Sequence, residues 1–180
     1  MLPTLSKRTV AAGRSELAAL QDFFAYNTFA RRKYLSFISK LPKKALTKDR
    51  GASYSSILDI LTHVLDVYKS WFHVYETGED LPELKGFSLI QVKKLELEVD
   101  KYIGRFMQKL RAQDLDKSFQ YTRGTGKSRK VITRRLGDLL WHLVEEELQH
   151  RGELNALLWQ DDIDPPVTSW FRWKKETSRR

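Results

Sequence analysis

Cysteine is absent from this 180-residue chain. Disulfides, thiolate zinc sites and a cysteine nucleophile are therefore excluded. Any metal site must be built from imidazole, carboxylate or water, and imidazole can come only from His63, His73, His142 and His150. No apolar run approaches the roughly 20 residues needed to span a membrane. Residues 1–13 lack the apolar centre of a signal peptide. Together these absences predict a cytoplasmic protein with no membrane partner. Alternating strand patterns are nearly absent, and so are internal repeats and low-complexity tracts.

What is present describes a soluble globular chain. Hydrophobic residues make up 41%, aromatic residues 12% and charged residues 31%. That is too apolar for a disordered chain, and the length suits one domain with a sizeable core. The net charge of +9 is unevenly spread. Arg123, Lys127, Arg129, Lys130, Arg134 and Arg135 crowd one segment, and Arg172, Lys174, Lys175, Arg179 and Arg180 crowd the end. Such clusters suit phosphate groups or an anionic surface. They equally suit a solvated loop and a frayed tail.

Four stretches repeat apolar residues at spacings of three and four, as amphipathic helices do. The first covers about 15–38, with Ser15 as N-cap and Leu41-Pro42 as its end. Its inward positions are Leu17, Leu20, Phe24, Asn27, Arg31, Leu35 and Ile38. The second covers about 54–76, from an N-cap at Ser53 to Thr77-Gly78, with a stripe of Ile57, Ile60, Leu61, Val64, Val67, Trp71 and Val74. The third covers about 88–112 and the fourth about 134–159. Four long amphipathic helices without a sheet predict an all-α fold, a four-helix bundle. The connection 113–133 is long for such a fold, which often means function, and a short hairpin is expected around Arg123-Gly124-Thr125-Gly126. The predicted organisation is a flexible N-terminus at 1–14, a bundle at 15–166 and a basic C-terminal tail at 167–180.

The fourth helix carries the chemistry. Its inward stripe reads Leu136, Leu139, Leu143, Glu146, His150, Leu154 and Leu157, all on one face. A carboxylate and an imidazole stand where leucine would be ordinary. A carboxylate on a buried face needs a partner, and side chains four apart on a helix can grip one ion. His63, between Ile60 and Val67 on the second helix, is the best third ligand. A set of two histidines and one carboxylate leaves coordination positions open. His142, one turn before Glu146, is placed as an auxiliary ligand or as support for one. The same spacings also describe a solvent-facing Glu146–His150 pair and a hydrogen-bonded core His63, and periodicity alone does not choose. The run Glu145-Glu146-Glu147 requires at least one of the three to be solvated.

Three segments resemble the DinB-like superfamily, which includes damage-inducible proteins and thiol-dependent transferases. Helix one carries Phe24-Ala25-Tyr26-Asn27-Thr28-Phe29-Ala30, similar to the family's opening motif around a Tyr-Asn pair. Helix two carries Leu61-Thr62-His63-Val64-Leu65 followed by Trp71, similar to the segment with the first metal histidine. Helix four carries His142, Glu146 and then His150-Arg151-Gly152, where the family has three histidines four apart followed by Arg-Gly. Ile163-Asp164-Pro165-Pro166 also matches the way the family closes this segment. The resemblance covers roughly 15–166 of the chain.

The resemblance implies a bundle of up-down-down-up connectivity and a divalent metal on His63, Glu146 and His150. Glutamate at 146 departs from the family's histidine, lowers the charge of the site by one and bears on the choice among zinc, nickel, manganese and iron. It further implies a transferase or hydrolase acting on a small-molecule substrate with a low-molecular-weight thiol, a homodimer, and DNA-damage-inducible regulation. Asn27 and Arg31 would line the substrate pocket, Arg31 meeting a substrate carboxylate. Two other functions compete: a polyanion- or nucleic-acid-binding protein using the basic segments and Trp170-Phe171-Arg172-Trp173-Lys174, and a bundle whose metal only stabilises the fold.

Overall fold

A computed structural model describes residues 15–124 and 128–178. The expected flexible segment 1–14, the hairpin residues Thr125 and Gly126, and the basic residues Lys127, Arg179 and Arg180 lie outside the described residues. Four long helices dominate: α1 (Glu16–Ile38), α3 (Ile57–Thr77), α4 (Leu89–Lys109) and α5 (Leu136–Trp159). Two short helices join them, α2 (Lys43–Thr47) and α6 (Trp170–Thr177), together with a 3-10 turn at Ala112–Asp116.

The helix starts follow capping chemistry. Ser15, Ser56 and Ser88 each accept a hydrogen bond from a backbone N–H of the first turn, and Gln91 completes a capping box at α4. The second long helix therefore begins at Ile57, three residues later than its periodicity predicts, and Ser53 and Tyr54 fall on the preceding loop. Gly78 ends α3 with φ of 76°, a left-handed conformation that glycine adopts without strain.

The expectation of no sheet is corrected. β1 (Ser118–Arg123) and β2 (Lys130–Arg135) form an antiparallel pair in register from Ser118↔Arg135 to Arg123↔Lys130. The predicted hairpin is thus twelve paired residues, not a local turn. Its buried side chains are Phe119 and Tyr121, which pack against Tyr75 and Trp71 of α3.

Each long helix packs against two others: α3 on α4 and α5, and α1 on α4 and α5. Contacts ascend together along α1 and α5, where Glu16 meets Trp141, Arg31 meets Glu147 and Tyr34 meets Asn155. They ascend together along α3 and α4 as well, where Phe72 meets Tyr102 and Tyr75 meets Phe106. They run in opposite senses along α1 and α4, and along α3 and α5. One apolar core lies between the four helices.

The segment read as a basic tail contains α6, which docks on α1. Trp170 and Trp173 pack around Tyr26, Trp170 also meets Phe23, and Trp173 is buried. Lys174 bonds Asp22, and Glu176 bonds Lys33. Apolar area at spacing three outweighs the local charge. Among the described residues no helix is long and apolar enough to cross a membrane.

Candidate metal centre

Three donor groups converge where the first half of α3 crosses the middle of α5. Donor atoms of His63, Glu146 and His150 lie within 4.8 Å of one another. Glu146 Oε2 is 3.4 Å from His150 Nε2 and 3.8 Å from His63 Nε2. These separations are too long for good hydrogen bonds. They come close to the roughly 3.3 Å that separates two ligands on one tetrahedral ion with bonds of about 2.0–2.1 Å. Helix geometry explains the placement. Residues four apart bring Glu146 and His150 to one face of α5, and the antiparallel α3 presents His63 across from them.

The surroundings suit ion binding. Glu153, one turn beyond His150, holds His150 Nδ1 at 2.9 Å, and Ser53 Oγ donates to the same Glu153 oxygen at 3.0 Å. With a carboxylate on Nδ1, the proton belongs there and the Nε2 lone pair faces Glu146, the arrangement seen behind metal-bound histidines. Burial lowers the pKa of His63, His150 adds to the effect, and attraction to Glu146 only partly offsets it. His63 is thereby kept in the neutral form that binds metals. Tyr54 covers its ring in a stack at 4.1 Å.

Among the described residues the ion-pair partners of Glu146 are the imidazoles of His63, His142 and His150. Its other oxygen, Oε1, is 3.8 Å from His142 Nε2, while His142 Nδ1 is 3.5 Å from Glu145 Oε2. His142, Glu145 and Glu146 form a second, more exposed donor group that shares Glu146 with the first. Among the described residues neither arginine nor lysine pairs with Glu146. A divalent cation among His63, Glu146 and His150 supplies the missing charge, so the residues present fit the group.

Asn27 and Arg31 belong to a buried network next to His150. Arg31 was expected to meet a substrate carboxylate. Its guanidinium is 97% buried and is spanned by two carboxylates of the protein, Glu147 Oε2 at 2.5 Å and Asp100 Oδ1 at 2.6 Å. Burial works against its charge, but Glu147, Tyr68 and Asp100 outweigh it and raise its pKa. Tyr68 donates to the same Glu147 oxygen at 2.7 Å, and Asn27 lies wholly buried beside Tyr68. This network adjoins His150 across a cavity with room for about one water molecule, lined by Arg31, Glu147, His150 and Arg151.

Sequence reasoning missed Glu147, Glu153 and Tyr54. Glu147 belongs to a second inward row of α5, Leu140, Val144, Glu147, Leu154 and Leu158, all buried, whose spacing was readable. Glu153 was also findable, as a carboxylate three residues after a candidate ligand.

The DinB family model matches residues 14–177. The chain belongs to the DinB family. The match runs past Pro166 through α6, so the docked helix lies within the matched region. The chain is also similar to the uncharacterized protein YizA of Bacillus subtilis (strain 168), 26% identical over 155 residues that cover 84% of this chain and 93% of that protein.

Proposed function

We propose that this DinB-family chain is a divalent-metal-dependent enzyme of the transferase or hydrolase type, working with a small thiol and holding its ion on His63, Glu146 and His150. The convergence of three donor atoms from two helices, with Glu153 behind His150, is the observation that carries the reading. A divalent ion there supplies the electrophilic charge that lowers the pKa of a bound thiol or water. Burial keeps His63 neutral, Glu153 fixes the orientation of His150, and Tyr54 shields His63 from water. His142, facing Glu146 from the more exposed side, serves as an auxiliary ligand or as support for one. The same reading makes the fold a four-helix bundle of up-down-down-up connectivity. The order of contacts along the helices supports it.

Metal analysis of purified protein tests the site. One ion per chain is expected. Substitution of His63 and His150 together by alanine abolishes retention, and Glu153→Gln weakens affinity by about 10–100-fold. Stoichiometric metal in the double variant, or no uptake by the wild type from zinc, nickel, manganese or iron, contradicts the reading.

A further inference from the structure

The two faces of the β-hairpin are built differently. Directly paired residues of antiparallel strands project to the same side of a sheet. Phe119, Tyr121 and Arg123 alternate along β1, and their partners on β2 are Arg134, Ile132 and Lys130. Phe119 and Tyr121 pack on Tyr75 and Trp71 of α3 with ring centroids 5.3 and 5.4 Å apart. This side of the hairpin therefore looks onto the helices, and it carries cations beyond its aromatic residues.

Hairpin, α3 and the first turns of α5 border an open-sided recess of about 260 Å³, just below the usual range of small-ligand sites. Trp71, Phe119 and Tyr121 form its apolar wall, Arg123 and Arg134 its cationic rim, and His142 its inner end. One carboxylate lines it, Asp138, and Arg135 Nε already holds that group at 3.1 Å. Among the described residues Arg123 and Arg134 pair with no carboxylate. Arg134 donates to the Thr133 carbonyl at 3.1 Å, which leaves its charge unneutralised.

His142, which lines the recess, also neighbours the candidate metal centre. The ring of Trp71 meets His142 edge-on at 5.6 Å, and His142 Nε2 is 3.8 Å from Glu146. From Asp138 to Glu146, α5 rises about 12 Å at 1.5 Å per residue. That is the length of a small organic molecule.

We propose that this recess binds the carboxylate end of a small organic acid with an apolar body, directing its other end toward His63, Glu146 and His150. Planar guanidinium groups match a carboxylate in two-pronged geometry, and the aromatic wall accepts the body. The bounded, concave, aromatic-lined shape favours a small acid over a nucleic acid, whose backbone needs an extended cationic track. The proposal deepens the enzymatic reading and rests on it for the role of the ion, but the binding step needs no metal.

An NMR titration of the full chain tests it, with 3-phenylpropionate and indole-3-acetate as probes, each beside its own amide. The acids are expected to bind and to shift the Trp71 indole signal, with the amides at least about tenfold weaker. Arg123→Gln with Arg134→Gln, at two exposed positions, lowers acid affinity about tenfold or more. Protein stripped with EDTA binds the acids as before. A failed metal assignment therefore leaves this result standing, whereas loss of acid binding on stripping overturns the proposal. Equal binding of acid and amide, unchanged binding by the double variant, or no shift at about 10 mM acid also overturns it. Binding of a single-stranded oligonucleotide that is lost in the double variant, without acid binding, reassigns the two arginines to a polyanion and overturns it too.

Discussion

Carboxylates inside a helical core must be answered by positive charge or by protons, and those at the centre of this molecule are answered in different ways. Arg31 answers Glu147 and Asp100. Among the described residues Glu146 pairs only with imidazoles, which under the proposed reading leaves it for an ion. Glu96 is answered least well. Burial, then its hydrogen bond and repulsion with Asp100, push its pKa from 4.5 up to about 7, while Arg31 and Arg32 pull the other way. A carboxyl whose pKa rises on folding contributes stability below its unfolded value, and that contribution is lost as pH climbs through about 7. Asp100 runs the other way: burial opposes its charge, but Arg31 prevails and its pKa is lowered, so its contribution is lost in acid. Glu96→Gln, which mimics the protonated form, is expected to stabilise the protein at pH 8 by about 1–2 kcal/mol, a few degrees in Tm, and to change little at pH 5. Thermal melts at the two pH values decide; a gain confined to pH 5 contradicts the assignment. Helical spacing exposed Glu146 and His150 in the sequence because they share one row with five leucines. Glu147, one residue on and about 100° around the helix, sits in a second row of equally readable spacing, but that this row is interior is fixed only by α1 packing beside α5.

At the scale of elements, length and period decided what could be read. The four long helices were legible, to within three residues at each end, from apolar stripes that recur over five or more turns. The turn of the hairpin was legible but the length of its strands was not, because β2 reads Lys-Val-Ile-Thr-Arg-Arg and buries little, so no alternation stands out. α6 was hidden by its charges, although Trp170 and Trp173 at spacing three marked an apolar face. Its docking yields a prediction. Trp173→Ala removes a buried ring from the contact with Tyr26 and should destabilise the protein by about 3 kcal/mol, measured by denaturant unfolding. An unchanged midpoint would mean that the segment is free of α1.

At the scale of the whole molecule, Arg31 ties three of the four long helices together, reaching from α1 to Asp100 on α4 and Glu147 on α5. Arg31→Met leaves the buried Glu147 without a cation and Asp100 with Arg32 alone, and is expected to cost about 3–5 kcal/mol in denaturant unfolding. A loss below about 1 kcal/mol would show that the carboxylates are satisfied by protons or water. The network lies beside the candidate metal centre and holds α5 in place relative to α1, while α3 brings His63 from the opposite side. None of this partner choice is written in helical period, which fixes the inward face of each helix and not its neighbour.

In the proposed function α3 and α5 share one ion. Anomalous diffraction at the zinc edge, from crystals of the full chain grown with zinc, tests it most directly. The account predicts one strong peak per chain within about 2.0–2.2 Å of His63 Nε2, His150 Nε2 and a Glu146 oxygen. No peak there, or a peak bonded to His142 and Glu145 without His63, would contradict it.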